Sequence, residues 1–212
     1  MKTQRAERGF TLIELLVVIV VAMILMALAV PTLQTTWRAG KLRGAANQTM
    51  TMMRLARLEA IKFSAQGIVR IVPATADEPG RVEAFSDRNA DGDQDPDDPT
   101  IGTFVLPKGV DFTAPPDLVG EDSVAGFTED ADGGPNRAVF LRDGSIQDIG
   151  GFRVGDENGN FLEVWVEPQA TARVEIHKCL LCTNADNRAD WYASGDNAGS
   201  FGKAGEAWGT WK

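Results

Sequence analysis

The most regular pattern in the chain lies near its start. Every residue from 15 to 30 is Ala, Val, Ile, Leu or Met, and Glu14 is the one ionisable group between Phe10 and Thr36. As a helix rising 1.5 Å per residue, that stretch is about long enough to cross a hydrocarbon layer of about 30 Å. Pro31 follows, at a position where it kinks a helix or loosens its hydrogen bonds. Beyond it, Leu42, Ala46, Met53, Ala56 and Ala60 recur at helical spacing, with Arg38, Lys41, Arg43, Arg54, Arg57 and Lys62 among them. This is an amphipathic continuation. The pattern predicts one helix from about Phe10 to about Phe63, with Met50, Met52 and Met53 as adaptable core packing.

After Gly67 the period falls to two. Short β-rich runs at 68–72, 81–86, 103–106, 110–113, 138–141, 145–149, 161–166 and 171–177 are separated by turn residues. The clearest alternation sets Phe161, Glu163 and Trp165 against Leu162, Val164 and Val166. Arg142-Asp143-Gly144-Ser145 and Glu157-Asn158-Gly159-Asn160 carry hairpin turn chemistry. The predicted fold class is α+β. A long N-terminal helix, membrane anchor plus amphipathic half, packs on an antiparallel β-sandwich-like head.

Composition narrows the function. With 212 residues, 43% hydrophobic and 24% charged, the chain is one globular domain with an apolar segment added, neither collagenous nor wholly disordered. A formal charge of −9 gives no nucleic-acid signal, because phosphate backbones need a cationic face. Two cysteines and one histidine leave an enzyme little but carboxylates to work with, so the chain reads as non-enzymatic.

The flanks of the apolar run decide what it is. A cleaved secretory signal would use Lys2, Arg5 and Arg8 as its basic region and Ala27-Leu28-Ala29 as its small-residue site. Against that stands Glu14, since a carboxylate inside an apolar helix costs a few kcal/mol unless it has a partner. The basic residues do not set orientation, because Arg38, Lys41 and Arg43 match the three before the run. The sequence Gly9-Phe10-Thr11-Leu12-Ile13-Glu14, following a short basic leader and preceding an unbroken apolar run, closely resembles the type IV prepilin signature. The resemblance implies that a prepilin peptidase cuts after Gly9 and methylates Phe10. It also implies that Glu14 finds its partner in the N-terminal amine of a neighbouring subunit, which makes Gly9 and Phe10 processing residues and Glu14 an assembly residue.

Further along, the stretch Leu55-Ala56-Arg57-Leu58-Glu59-Ala60-Ile61-Lys62, the turn at Phe85-Ser86-Asp87-Arg88-Asn89 and the hairpin Phe140-Leu141-Arg142-Asp143-Gly144 resemble the GspH/FimT group of minor pseudopilins and minor pilins. The resemblance implies a leader at 1–9, a transmembrane or filament-core helix at 10–33 and an amphipathic helix plus β head at 34–183; it stops near Thr183, beyond which composition marks a Gly/Asn/Trp-rich extension at 184–212. It implies a bacterial inner-membrane protein, single pass, with its head in the periplasm. Its partners would be other pilin or pseudopilin subunits, in a type II secretion pseudopilus or a type IV pilus, at or near the tip. Some pilus-side members take part in DNA uptake through a basic C-terminal region; here residues 168–212 hold five cations against five acids. The alternative from another class is a membrane-anchored periplasmic binding module that does not polymerise.

Three segments carry candidate chemistry outside that scheme. In the run from Asp87 to Asp98, oxygen-bearing side chains alternate and Gly92 stands at the sixth position, as a Ca²⁺ loop requires. The ligand set would be Asp87, Asn89, Asp91, Asp93, Asp95 and Asp98, although the twelfth position is Asp rather than the usual bidentate Glu and Gln94 replaces an apolar anchor. A solvated hairpin tip is the competing reading. Cys179 and Cys182 read as a disulfide in an exported head, with a Zn²⁺ site that includes His177 and free thiols as alternatives. In the extension, Trp191, Tyr192, Trp208 and Trp211 either dock on the head or serve as anchors for a partner.

Overall fold

The computed structural model describes residues 11–113, 123–127, 137–179 and 191–193. Helix α1 runs over Leu12–Phe63 without a break at Pro31. Among the described residues ten strands follow: β1 (Gln66–Val72), β2 (Arg81–Asp87), β3 (Thr100–Val105), β4 (Val110–Phe112), β5 (Val124–Ala125), β6 (Arg137–Phe140), β7 (Gly150–Asp156), β8 (Phe161–Val166), β9 (Val174–Cys179) and β10 (Trp191–Ala193). Every strand pairing is antiparallel. One sheet has the order β3-β2-β1-β6, and the second has the order β10-β9-β8-β7-β4 with β5 also on β7.

By compactness the chain divides between Trp37 and Arg38. In the first unit the helix is apolar and uncovered: large side chains from Leu12 to Met26 are exposed, Leu12 at 82% and Met26 at 67%. Among the described residues no helix is long and apolar enough to cross a membrane. The described side chains of this run end at Ala27, whereas the sequence carries it on to Val30.

In the second unit, α1 buries Ala39, Leu42, Ala45, Ala46, Met53, Ala56 and Ala60. The alanines among them let strands approach the helix closely. The core they join takes Val69, Val82 and Phe140 from one sheet and Phe152, Leu162 and Val164 from the other. The helix ends in a tight reversal. Ser64 takes a positive φ of 52°, and the N–H of Ala65 donates to the carbonyl of Ala60 at 3.3 Å, which is the six-to-one bond of a left-handed C-cap. Strand β1 then turns straight back along the helix. A Cβ on Gly67 would lie 2.2 Å from the Ala56 carbonyl oxygen, so backbone meets backbone there and only glycine fits.

Two expected elements shift. The run at 145–149 forms only the isolated bridge Phe140↔Ile146, and the strand begins at Gly150 instead. Strand β7, GGFRVGD, shows little alternation, and its glycines are where β8 needs room. A Cβ on Gly151 would press on the Trp165 ring and one on Gly155 on the Phe161 ring. The run at 171–177 becomes Val174–Cys179, because residues 168–172 form a turn in which the Thr171 and Ala172 amides both donate to the Pro168 carbonyl.

The far side of the first sheet carries a charge ladder. Arg70 and Arg81 each reach Glu83 at 2.7 Å, and Arg81 reaches Glu78 at 2.9 Å. Burial alone would push the Glu83 carboxyl up. The hydrogen bonds and charges of Arg81 and Arg70 outweigh it and hold the carboxyl below its ordinary value of 4.5.

Two predictions follow from this packing. Gly67→Ala should destabilise the head severely, by several kcal/mol, because the clash is with helix backbone that cannot move aside; a melting temperature within two or three degrees of wild type would refute the close approach. For Glu83, the depressed value means that its contribution to stability is fully present above about pH 4.5 and is lost as the pH falls through the lower folded-state value. Glu83→Gln should therefore lower stability at neutral pH and flatten the acid limb of the stability profile, as read by denaturant unfolding across pH.

Candidate functional site

The prepilin-like motif straddles the edge of the described residues. Gly9 and Phe10 lie outside them, and Thr11 to Glu14 lie inside. Thr11 is the N-cap of α1: its hydroxyl accepts the Glu14 N–H at 3.3 Å, and Glu14 Oε2 accepts the Thr11 N–H at 3.3 Å and its hydroxyl at 3.2 Å. This reciprocal arrangement is a capping box, worth about 0.5–2 kcal/mol to a helix start. The Thr-x-x-Glu spacing was readable in the sequence beside the assembly role of Glu14. The cap fixes where the carboxylate stands, with Oε2 turned to the chain's own first turn.

The Asp-rich segment connects β2 to β3 and is closed by its own side chains. Asp87 is fully buried; its two oxygens accept the backbone N–H groups of Ala90 at 2.7 Å and Gly92 at 2.8 Å. Asp98, also buried, accepts from the Arg88 and Asp95 amides at 3.0 and 3.1 Å. Asn89 donates its side-chain amide to Asp91 at 2.7 Å and Asp95 at 3.0 Å, and Asp91 accepts the Asp93 N–H at 2.9 Å. Gly92 has φ of 89°, and its carbonyl accepts a hydrogen bond from Arg137 on β6. So the six residues proposed as ligands do share one turn, with four of the carboxylates engaged by amide donors. Among the described residues no group of three or more His, Cys, Asp or Glu side chains is placed to hold a metal ion.

Of the cysteine pair, Cys182 lies outside the described residues, and Cys179 ends β9 opposite Trp191. The His177 side chain lies between two carboxylates. It is 1% exposed, with Nδ1 3.7 Å from Glu163 and Nε2 3.7 Å from Glu175. Glu163 in turn meets Arg153 at 3.2 Å, so Arg153, Glu163 and His177 form a buried row across β7, β8 and β9. The sequence reading missed this row, although a Glu in the middle of Phe-Leu-Glu-Val-Trp-Val was its signal. Both faces of β8 are buried, so the alternation there does not separate core from solvent. Trp191 and Tyr192 belong to β10, which extends the second sheet beside β9, while Trp208 and Trp211 lie outside the described residues.

The loop geometry sets an expectation. Asp87→Ala leaves the Ala90 and Gly92 amides without an acceptor and should destabilise the head by about 2–3 kcal/mol in denaturant unfolding. With its oxygens engaged by amides, the wild type should melt at the same temperature in Ca²⁺ and in chelator at equal ionic strength. A rise of several degrees in Ca²⁺ would show that the loop rearranges to ligate the ion.

The comparisons with known proteins fall on these two regions. Residues 4–30 match the prokaryotic N-terminal methylation motif, and residues 45–177 match the type II transport protein GspH. No curated protein and no solved structure gives a significant match. The second match spans more than half of the 212 residues and takes in the later part of α1 and the strands from β1 into β9. The chain therefore belongs to the GspH family of type II transport proteins, pilin-like pseudopilins that serve as structural components.

Proposed function

We propose that this chain is a minor pseudopilin of a type II secretion system, held in the inner membrane by the apolar half of α1 with its head in the periplasm. It is cut after Gly9, methylated on Phe10 and drawn into a pseudopilus at or near the tip. The observation that supports this reading best is the exposed apolar helix from Leu12 to Met26 directly behind the Thr11–Glu14 cap. A helix apolar on all sides needs cover. Lipid supplies it to a stored monomer, and the helices of neighbouring subunits supply it in a filament. Exchanging one for the other leaves the helix dry throughout.

Glu14 is the exception to that dryness. Its Oε2 serves the cap, which directs Oε1 to an incoming donor, and the new amine of a neighbouring Phe10 has the complementary charge. A partnered carboxylate in an apolar environment fixes register, because any axial slip leaves it unpaired at a cost of several kcal/mol. No catalytic step is part of this role.

The test is in the native host. Gly9→Val should accumulate uncut precursor, seen as an unchanged leader mass, because the peptidase needs a small residue at the scissile bond. Glu14→Leu should be cut and inserted normally yet enter filaments poorly and depress secretion. Wild type that begins at any residue other than Phe10, or Glu14→Leu that assembles at the wild-type level, would overturn the assignment.

A further inference from the structure

A pocket of about 200 Å³ opens at the start of the head, between α1, the β3–β4 loop and the β7–β8 turn. Three exposed cations line it: Arg38 and Lys41, three residues apart on one face of the helix, and Lys108 from the loop. Arg38 donates to Asn158 Oδ1 at 3.1 Å and Lys41 to the Lys108 carbonyl at 3.2 Å. Neutral oxygens thus hold these two side chains in place while their charge stays available to a ligand.

Two carboxylates complete the lining, and they differ. Asp156 serves its own turn: Oδ1 accepts the Asn158 and Asn160 backbone amides at 2.9 and 3.0 Å, and Oδ2 accepts the Asn160 side-chain amide at 2.9 Å. Glu157 is exposed and lies against Gly109, where a Cβ would come 3.5 Å from Oε1. Beyond Glu157 the surface continues into a larger cleft whose rim bears Asp77, Glu78 and Asp111. The pocket is therefore cationic on one side and acidic on the other. A simple anion would meet Glu157, and a simple cation would meet three positive charges. The complementary ligand carries both signs close together, a phosphate beside an ammonium.

We propose that this pocket holds the headgroup of an aminophospholipid, its phosphate on Arg38, Lys41 and Lys108 and its primary ammonium on Glu157. The inference rests on the membrane-held reading above. Eight residues take the chain from Val30, the last of the apolar run, to Arg38, and as helix they rise about 12 Å. Headgroups occupy about 5–8 Å on each side of the hydrocarbon layer, and helical Arg and Lys side chains lean toward the helix N-terminus and extend their charge several ångströms. Trp37, next to Arg38 in the chain, is 71% exposed, and indoles concentrate at the membrane–water interface. A bound headgroup would keep the head of a stored monomer against the lipid surface, and entry into a filament would release it.

The test is native mass spectrometry of the full chain from detergent micelles that contain phosphatidylethanolamine, phosphatidylglycerol and phosphatidylcholine with identical acyl chains. One phosphatidylethanolamine should be retained per chain, with about tenfold preference over the other two: phosphatidylglycerol lacks the ammonium, and the quaternary ammonium of phosphatidylcholine has no N–H to donate. Arg38→Gln with Lys41→Gln should weaken retention about tenfold at unchanged melting, since both positions are exposed and Gln still donates to the same oxygens. Glu157→Gln should keep lipid binding and lose the preference over phosphatidylglycerol. Soluble phosphoethanolamine should displace the lipid only at about hundredfold higher concentration, because the micelle presents its headgroups already tethered. Equal retention of the three lipids overturns the proposal, as does a double variant that retains phosphatidylethanolamine like wild type. Soluble phosphoethanolamine that binds as tightly as the lipid overturns it in favour of a free ligand. A chain that alkaline carbonate extracts from native membranes overturns the membrane-held reading and this inference with it, whereas one that resists extraction and shows no headgroup preference overturns this inference alone.

Discussion

The head is organised by the close approach of β1 to α1 at Gly67 and Ala56. Ala45, Ala46, Ala56 and Ala60 keep the helix surface shallow, and Leu42 and Met53 fill what remains. With the backbones this near, strands from both sheets reach one continuous core, in which Val69, Phe140, Phe152 and Val164 are each fully buried. Burying side chains of this size stabilises by about 1.5–3 kcal/mol each, and large-to-small changes there cost more than the lost area because the cavity does not fully collapse. The left-handed cap at Ser64 is part of the same constraint. It reverses the chain in three residues and so sets the strand against the helix that has just ended.

Polar groups in the head are handled by pairing across strands or by local loop closure. Glu83 sits between Arg70 and Arg81, and Glu163 between Arg153 and His177. A buried pair of this kind adds little over a well-packed apolar one, yet losing one partner typically costs 3–5 kcal/mol. Such rows therefore act mainly on which strands pair and in which register. In the β2–β3 connection, the carboxylates of Asp87 and Asp98 replace the backbone acceptors that a tight turn lacks.

The two halves of α1 obey opposite rules because they have different surroundings. From Arg38 onward one stripe is buried and cations lie off it; from Leu12 to Met26 apolar residues are exposed all round. The pseudopilin role proposed above uses both: a head with its own core, and an apolar helix that, in that reading, is covered first by lipid and then by other helices. Glu14 joins the two requirements, stabilising the first turn of the helix and carrying the one charge of its apolar segment.

The sequence by itself determined the elements whose signal is local. The apolar run, the helical stripe from Leu42 to Ala60, the turns at Gly144 and Gly159 and the Gly-Phe-x3-Glu motif were all legible, because periodicity, turn chemistry and motif spacing need no distant partner. Tertiary structure decided the rest. Strand β7 was hidden because its glycines are shaped by Trp165 and Phe161 on a neighbouring strand. Phe161, Glu163 and Trp165 alternate with Leu162, Val164 and Val166, yet both sets are buried, since alternation reports two faces without saying what covers them. The oxygens of Asp87, Asp91 and Asp98 fit a cation's ligands and a turn's own amide acceptors equally well in sequence. That the backbone N–H groups of Arg88, Ala90, Gly92, Asp93 and Asp95 donate to these oxygens is visible only once the loop is folded.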